Sequence, residues 1–464
     1  MKKGIAIFLV LAMVLGMCAC SASQPAEEGA ATSADGLQVG YAKINVTPNY
    51  TVGISGYSNA EDRPNSDGLM TYIYATCIAM TAGEETILVY TVDNIAMEIN
   101  HAENFRSIIT EKTGIPKDKI FFGAIHSHSC PAKSGQYKVD LGNWLAEGAE
   151  KALADRAPVT VYAGTQEIPG MNFVRHYKMA DGTYAGSNFG DFSKEIVGHA
   201  TEKDDQMVLV KFDYEDESKK DVLLVNWQAH PDSARDIGYN ALAASWVGPL
   251  RDEVEKLSGM RVAYFTGAAG NQNMDSKIES EAHGLAWNEY GVKMGQLTYE
   301  ALSCLKPTSG QGIKTSQQMF TVEIDHSWDH MLSQANEVYD LWKSAGLSAG
   351  NALGKTYGFT SSYQARAIRS RVGMGQTAQL ELGAFSVGGI GFTTGTYEMF
   401  SNHSLYVKEN SPFAVTFIIT GCSGYIPDPA AYEYRSYEAD TGTYASGTGE
   451  KLAEEYVRML TLLQ

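Results

Sequence analysis

Past an apolar start, the chain alternates short runs of β-branched and aromatic residues with longer stretches in which apolar residues recur at helical spacing. The short runs predict strands at Gln38–Val46, Tyr72–Met80, Thr86–Val92, Lys119–Ile125, Val159–Thr165, Met207–Asp213, Val222–Trp227, Arg261–Thr266, Gln379–Leu382, Phe385–Phe392 and Ala414–Thr420. The periodic stretches predict helices at Ala102–Thr113, Gly142–Ala154, Val247–Leu257, Ala282–Leu305, Trp328–Ser344 and Gly447–Leu463. Strands interleaved with helices mean an α/β fold, with mixed β-sheets and flanking helices. Pro307–Gly312 and Ser348–Gly354 alone have the composition of soft joints, and neither is long or charged enough for an interdomain linker. One catalytic domain is therefore expected over residues 37–464.

The apolar start has a different meaning. Met1-Lys2-Lys3, an apolar run from Ile5 to Met17, and Cys18-Ala19-Cys20-Ser21 have the order of a secretory leader, here residues 1–20, too short to span a bilayer permanently. A small-polar stretch over 21–36 then suits a tether. A cysteine at that junction suggests a bacterial lipoprotein lipidated on Cys20, with Cys18 as the other choice and a plain cleaved leader as the bland reading. The expected location is extracytoplasmic, at the cell surface or in the periplasm, with membrane contact through the anchor.

Losing Lys2 and Lys3 with the leader takes the formal charge from −18 to about −20. So acidic a chain, without a basic cluster, excludes nucleic acid as a partner. Cys77, Cys130, Cys304 and Cys422 are scattered without Cys-x-x-Cys spacing, so they predict neither a metal knuckle nor a particular disulfide.

The sharpest chemical signal is Phe121-Phe122-Gly123-Ala124-Ile125-His126-Ser127-His128-Ser129-Cys130-Pro131. An apolar strand runs into histidines at i and i+2, which on extended backbone share one side, at a strand end where α/β folds place active sites. Such a pair suits zinc, and it also suits histidines that merely cap nearby backbone. Two further strand ends look similar: Asn226-Trp227-Gln228-Ala229-His230-Pro231, and Thr266 followed by Gly267-Ala268-Ala269-Gly270-Asn271-Gln272-Asn273, whose glycines allow a ligand close to backbone amides. His326 and His330 sit at i, i+4 without a His-Glu-x-x-His pattern, so an exposed helix start is the better reading. His101, His176, His199, His283 and His403 are isolated and read as surface or structural.

The order His-x-His-Ser-x-Pro, Asn-Trp-x-x-His-Pro and a glycine-rich strand exit, together with Val39-Gly40-Tyr41 to Thr47-Pro48 and Gly56-Tyr57 near the start, resembles the neutral/alkaline, non-lysosomal ceramidases. The resemblance implies a ceramidase-like zinc hydrolase fold, with the family's C-terminal β-sandwich domain absent. It implies Zn2+ held by His126, His230, Glu398 and Tyr425, with His128 facing the substrate, Tyr437 as a second active-site tyrosine and Arg175 in the substrate pocket. Gly56, Asn271 and Asn273 would border the substrate. Asn273 stands where the family carries a serine, which removes a serine nucleophile there and leaves a metal-activated water. The implied activity is cleavage of an amide in an N-acyl compound, ceramide-like or other. An esterase on the same zinc, or a non-catalytic lipoprotein that binds carbohydrate or lipid, are the alternatives.

Overall fold

The computed structural model of the protein describes residues 36–57, 60–278, 284–310 and 312–464; the expected leader, most of the tether, Cys20 and His283 lie outside them. One connectivity recurs along the chain. Gln38–Asn45, Tyr74–Ala82 and Glu85–Val92 form an antiparallel meander, and the Ile99–Thr113 helix then returns the chain so that Ile120–Ala124 runs parallel to Glu85–Val92. Ala157–Glu167, Gln206–Tyr214 and Val222–Trp227 repeat the meander, and the Val247–Ser258 helix leads to Arg261–Thr266, parallel to Val222–Trp227. These units join edge to edge at Val39 opposite Ala157, giving one large mixed sheet. A third unit, Ile313–Glu323, Thr377–Val387 and Ile390–Gly395, closes through the Ser401–Asn410 helix onto Thr416–Thr420 as a separate sheet.

The strand sequences explain the layering. Val222–Trp227 is buried at every position, as VLLVNW without polar alternation requires. One face of the large sheet, with Leu88, Tyr90, Phe122, Leu223 and Tyr264, packs on Phe105, Leu145, Leu250 and Met294 of its helices. Its opposite face, with Phe121, Val210, Leu224 and Phe265, packs on Phe385, Phe392, Phe417 and Ile419 of the second sheet. The outer face of that sheet, including Leu382 and Ile418, is covered by Leu452, Tyr456 and Met459 of the Thr448–Leu462 helix. The order is helix, sheet, sheet, helix. The sheets approach closely where a Cβ on Gly123 would lie 2.6 Å from Ile419 Cγ2, and Phe121 meets Phe385 with ring centroids 4.8 Å apart.

A buried ion pair joins the first unit to the third. The Arg106 guanidinium grips Glu381 through both nitrogens, at 2.5 and 2.6 Å. Both side chains are almost wholly inaccessible.

The mixed sheets and flanking helices agree with the sequence reading, and Val222–Trp227 and Arg261–Thr266 fall at the predicted bounds. Several details differ. Leu382 to Phe385 is continuous strand, and the turn comes at Gly388-Gly389, both at positive φ. Ser348–Gly354 is no joint but lies within the Leu347–Thr356 helix, where Gly350 lets Trp342 and Ser362 approach. Ile313–Glu323 escapes the pattern because it is mostly half-exposed and carries Lys, Ser and Gln.

Removing one partner of the Arg106–Glu381 pair strands a buried charge. Glu381→Ala is expected to lower unfolding stability in urea by about 3–5 kcal/mol, and a Met/Met double variant to recover much of that. A loss below about 1 kcal/mol for the single variant would contradict a structural role.

Candidate active site

Each parallel pair ends at the same place. Glu85–Val92 runs out into Asn94 and Ile95, and Ile120–Ala124 into His126 and His128. Val222–Trp227 leads to His230, and Arg261–Thr266 to the Gly267–Asn273 segment. Ile390–Gly395 and Thr416–Thr420 lead to Glu398 and Tyr425, which pair in a short parallel bridge. Carboxyl ends of strands flanking a parallel pair are where α/β sheets bind ligands.

His126 is not on extended backbone, as its spacing predicted, but in the left-handed region at φ 68°. That conformation costs a non-glycine residue about 1–3 kcal/mol. It is held by the His126 N–H donating to Asn94 O (2.9 Å) and Nδ1–H donating to the Ile95 carbonyl (2.6 Å). A carbonyl can only accept, so Nδ1 carries the proton and a neutral His126 presents a bare Nε2. His230 is fixed the same way: its N–H donates to Gln272 O (2.8 Å), and its Nδ1 is 3.4 Å from Ala269 O. The two Nε2 atoms lie 3.0 Å apart. His128 Nε2 is 3.2 Å from His230 Nε2, so all three rings converge.

Glu398 completes the cluster, with Oε2 at 3.3 Å from His126 Nε2 and 3.9 Å from His230 Nδ1, buried and without a hydrogen-bond partner. Lone pairs facing lone pairs beside an unpartnered carboxylate oxygen is a costly arrangement that a cation resolves. The spacing fits one: ligand atoms about 2.0–2.1 Å from a tetrahedral zinc are about 3.3 Å apart. Without a metal, a proton takes the cation's place: burial disfavours charge on His126, yet Glu398 beside it holds its pKa well above the ordinary value, so a bound metal would displace a proton from this ring. Burial, reinforced by the His126 charge, holds His128 and His230 well below theirs, as neutral imidazoles fit to bind metal.

The other predicted residues are distributed unevenly. Tyr425 is beside Glu398, with its phenol pushed up by burial and then by that carboxylate. Arg175 lies 5.6 Å from the Tyr425 ring, donates to Glu438 and to Gly270 O, and Tyr437 packs edge-on against Tyr425 at 6.1 Å. Gly56, at φ 131°, abuts His128, and a Cβ there would come within 2.9 Å of the His128 side chain. Asn273 follows the Gln272 that fixes His230, and its Oδ1 is buried without a partner. The Asn271 amide is engaged with Ser401, its Oδ1 accepting from Ser401 N–H and its Nδ2 donating to Ser401 Oγ at the start of the Ser401–Asn410 helix.

Sequence reading also missed residues. Tyr57 covers His128 (centroids 5.0 Å) and stacks on Tyr239, with the buried Arg63 guanidinium against both rings and donating to His128 O. His176, read as isolated, is fully buried and bonds Glu438 (2.7 Å) and Tyr434 (2.8 Å). Lys133 donates to Asn94 Oδ1 and Ala96 O, steadying the loop that orients His126. Tyr57 was within reach, since it adjoins Gly56. The others act only through tertiary contacts.

No family model matches the sequence, and no curated protein matches it either. Solved structures do. The crystal structure of neutral ceramidase from Pseudomonas aeruginosa superposes with a TM-score of 0.65 at 15% identity, over 92% of this chain and 74% of that one. A structure described as ceramidase complexed with C2 matches with a TM-score of 0.65 at 14% identity, over 92% of this chain and 75% of that one. The chain has the ceramidase fold.

Glu438 gives a pH test. Burial opposes its charge, but His176 and Arg175 outweigh burial and hold the carboxyl down at about 2, against an ordinary 4.5. A depressed carboxylate stabilises the fold above its unfolded pKa and loses that contribution as pH falls through the folded one. Urea midpoints of the wild type are expected to drop as pH goes from about 4.5 towards 2, whereas Glu438→Gln starts lower and loses less over that interval. Parallel curves for both proteins would contradict the network.

Proposed function

From the ceramidase fold as premise, we propose that this protein is a zinc-dependent hydrolase of amide bonds in N-acyl compounds. The observation that carries the reading is the convergence of the His126 and His230 Nε2 atoms, 3.0 Å apart, beside the Glu398 oxygen that makes no hydrogen bond. With the Tyr425 phenol these residues form a mixed nitrogen and oxygen donor set suited to zinc. Zinc held there supplies Lewis-acid polarisation of an acyl carbonyl and a more acidic water.

The remaining roles belong to the chain. His126 and His230 have backbone acceptors for Nδ1, as metal-binding histidines usually do, whereas His128 Nδ1 has no hydrogen-bond partner. This supports giving His128 the substrate side, where a neutral imidazole under the Tyr57 ring takes up and returns the proton that moves to the leaving amine. Tyr437 stands next to Tyr425 as a hydroxyl donor for the developing oxyanion. Arg175, anchored by Glu438, keeps positive charge against Tyr425. The orphan Asn273 Oδ1 suits an amide N–H of the substrate. Asn273 has no nucleophilic hydroxyl, so the route needs no acyl-enzyme at that position.

Metal analysis and hydrolysis assays separate these roles. The purified protein is expected to hold zinc; His230→Ala and Glu398→Ala to lose it; His128→Ala to keep it while acyl release falls by roughly 10²–10⁴-fold. Chelation should abolish turnover of ceramide, N-acyl amino acid or N-acetyl sugar substrates, whichever is cleaved. Full zinc in the His230 and Glu398 variants, or unchanged turnover under chelator, refutes the assignment. We also propose export and anchoring through Cys20, supported by the leader sequence alone. Mass spectrometry of the mature chain from membranes should find a diacylglyceryl group there, and a bare N-terminus further along contradicts it.

A further inference from the structure

We propose that the substrate carries an anionic group several bonds from the scissile amide, bound by Arg366 at the end of an aromatic wall that leads out from the metal-binding cluster. The inference rests on the amidase reading for what happens at the cluster, and on independent observations for the anion.

The wall starts at Tyr425. Tyr437 lies 6.1 Å from it and Tyr363 a further 5.7 Å on, each ring edge-on to the last. The Arg366 guanidinium then lies 5.4 Å from the Tyr363 ring and 5.8 Å from Trp342. Tyr363 and Arg366 are three positions apart on the Ser362–Arg371 helix and so are neighbours on one face. Ala365 and Ile368 bury the opposite face against Ala335, Val338 and Phe359, which fixes the helix with Tyr363 turned towards Tyr437.

Arg366 is exposed, so its donors face water and are open to a ligand. Arg63, Arg106, Arg175, Arg251, Arg261, Arg371 and Arg435 all donate to carboxylates or carbonyls, whereas Arg366 and Arg369 of this helix do not; Arg369 lies 3.9 Å from the Tyr339 ring, away from the wall. Among the described residues the Arg366 guanidinium makes no hydrogen bond or ion pair; its contacts are aromatic faces. A guanidinium stacked on rings keeps its fork of donors free and flat, the geometry that matches carboxylate, sulfonate or phosphate. Three successive contacts of 6.1, 5.7 and 5.4 Å separate Arg366 from Tyr425, so an anion held there would belong to a part of the substrate remote from the acyl carbonyl.

The test titrates N-octanoyl-aminocaproate and its uncharged carboxamide analogue into the full-length, metal-loaded protein by calorimetry and follows acyl release in parallel. The carboxylate should bind on the order of tenfold more tightly. Arg366→Met should lower carboxylate affinity to that of the carboxamide, and Arg366→Lys should restore part of the difference. Equal affinities in the wild type, or equal weakening of both ligands in Arg366→Met, overturns the proposal. Arg366-dependent preference without acyl release from either compound upholds the anion site and refutes the amidase reading; acyl release from both with equal binding does the reverse.

Discussion

Two imidazole Nε2 atoms directed at each other, 3.0 Å apart in the dry interior and next to a carboxylate, form the constraint on which this molecule is organised. Left to themselves the rings would rotate to find donors. They are prevented because each is pinned through its other edge: His126 to the Ile95 carbonyl, His230 to Ala269. Those carbonyls belong to segments that leave neighbouring strands of parallel pairs, so the register of the sheet holds the two nitrogens together.

This explains why the sheet-to-sheet packing matters chemically. Glu398 and Tyr425 come from the second sheet, and they meet the histidines only because Gly123 lets Ile419 close in and Phe121 seats against Phe385. The strain at His126, in the left-handed region, is likewise tied to the site. It turns the ring back towards Glu398 while the chain continues to His128 beneath Tyr57. Stability is thereby given up locally for preorganisation, and the buried Arg106–Glu381 and Arg251–Asp93 pairs lock the surrounding frame.

What the sequence disclosed follows the same division. Buried central strands such as Val222–Trp227 are uniformly apolar, so their bounds and the site residues just past them can be read directly. The polar, half-exposed Ile313–Glu323 strand has no such contrast and is invisible to pattern. Glycine misled at Ser348–Gly354, where it serves close helix packing. His176, Glu438 and Lys133 could not be found from the chain, because each acquires its role from a partner distant in sequence or from a loop carbonyl. The division of labour between His126 and His128 came from resemblance in the sequence; His128 differs from His126 in that its Nδ1 makes no hydrogen bond.

The central claim is that the cluster binds one metal through His126, His230 and Glu398, with His128 outside the coordination shell. Diffraction recorded on both sides of the zinc edge from crystals of the zinc-loaded protein tests it directly. The account predicts one anomalous peak about 2.0–2.1 Å from both Nε2 atoms and about 2.0–2.2 Å from a Glu398 oxygen. A peak bonded to His128 with Glu398 free, or no peak between the histidines, would contradict it.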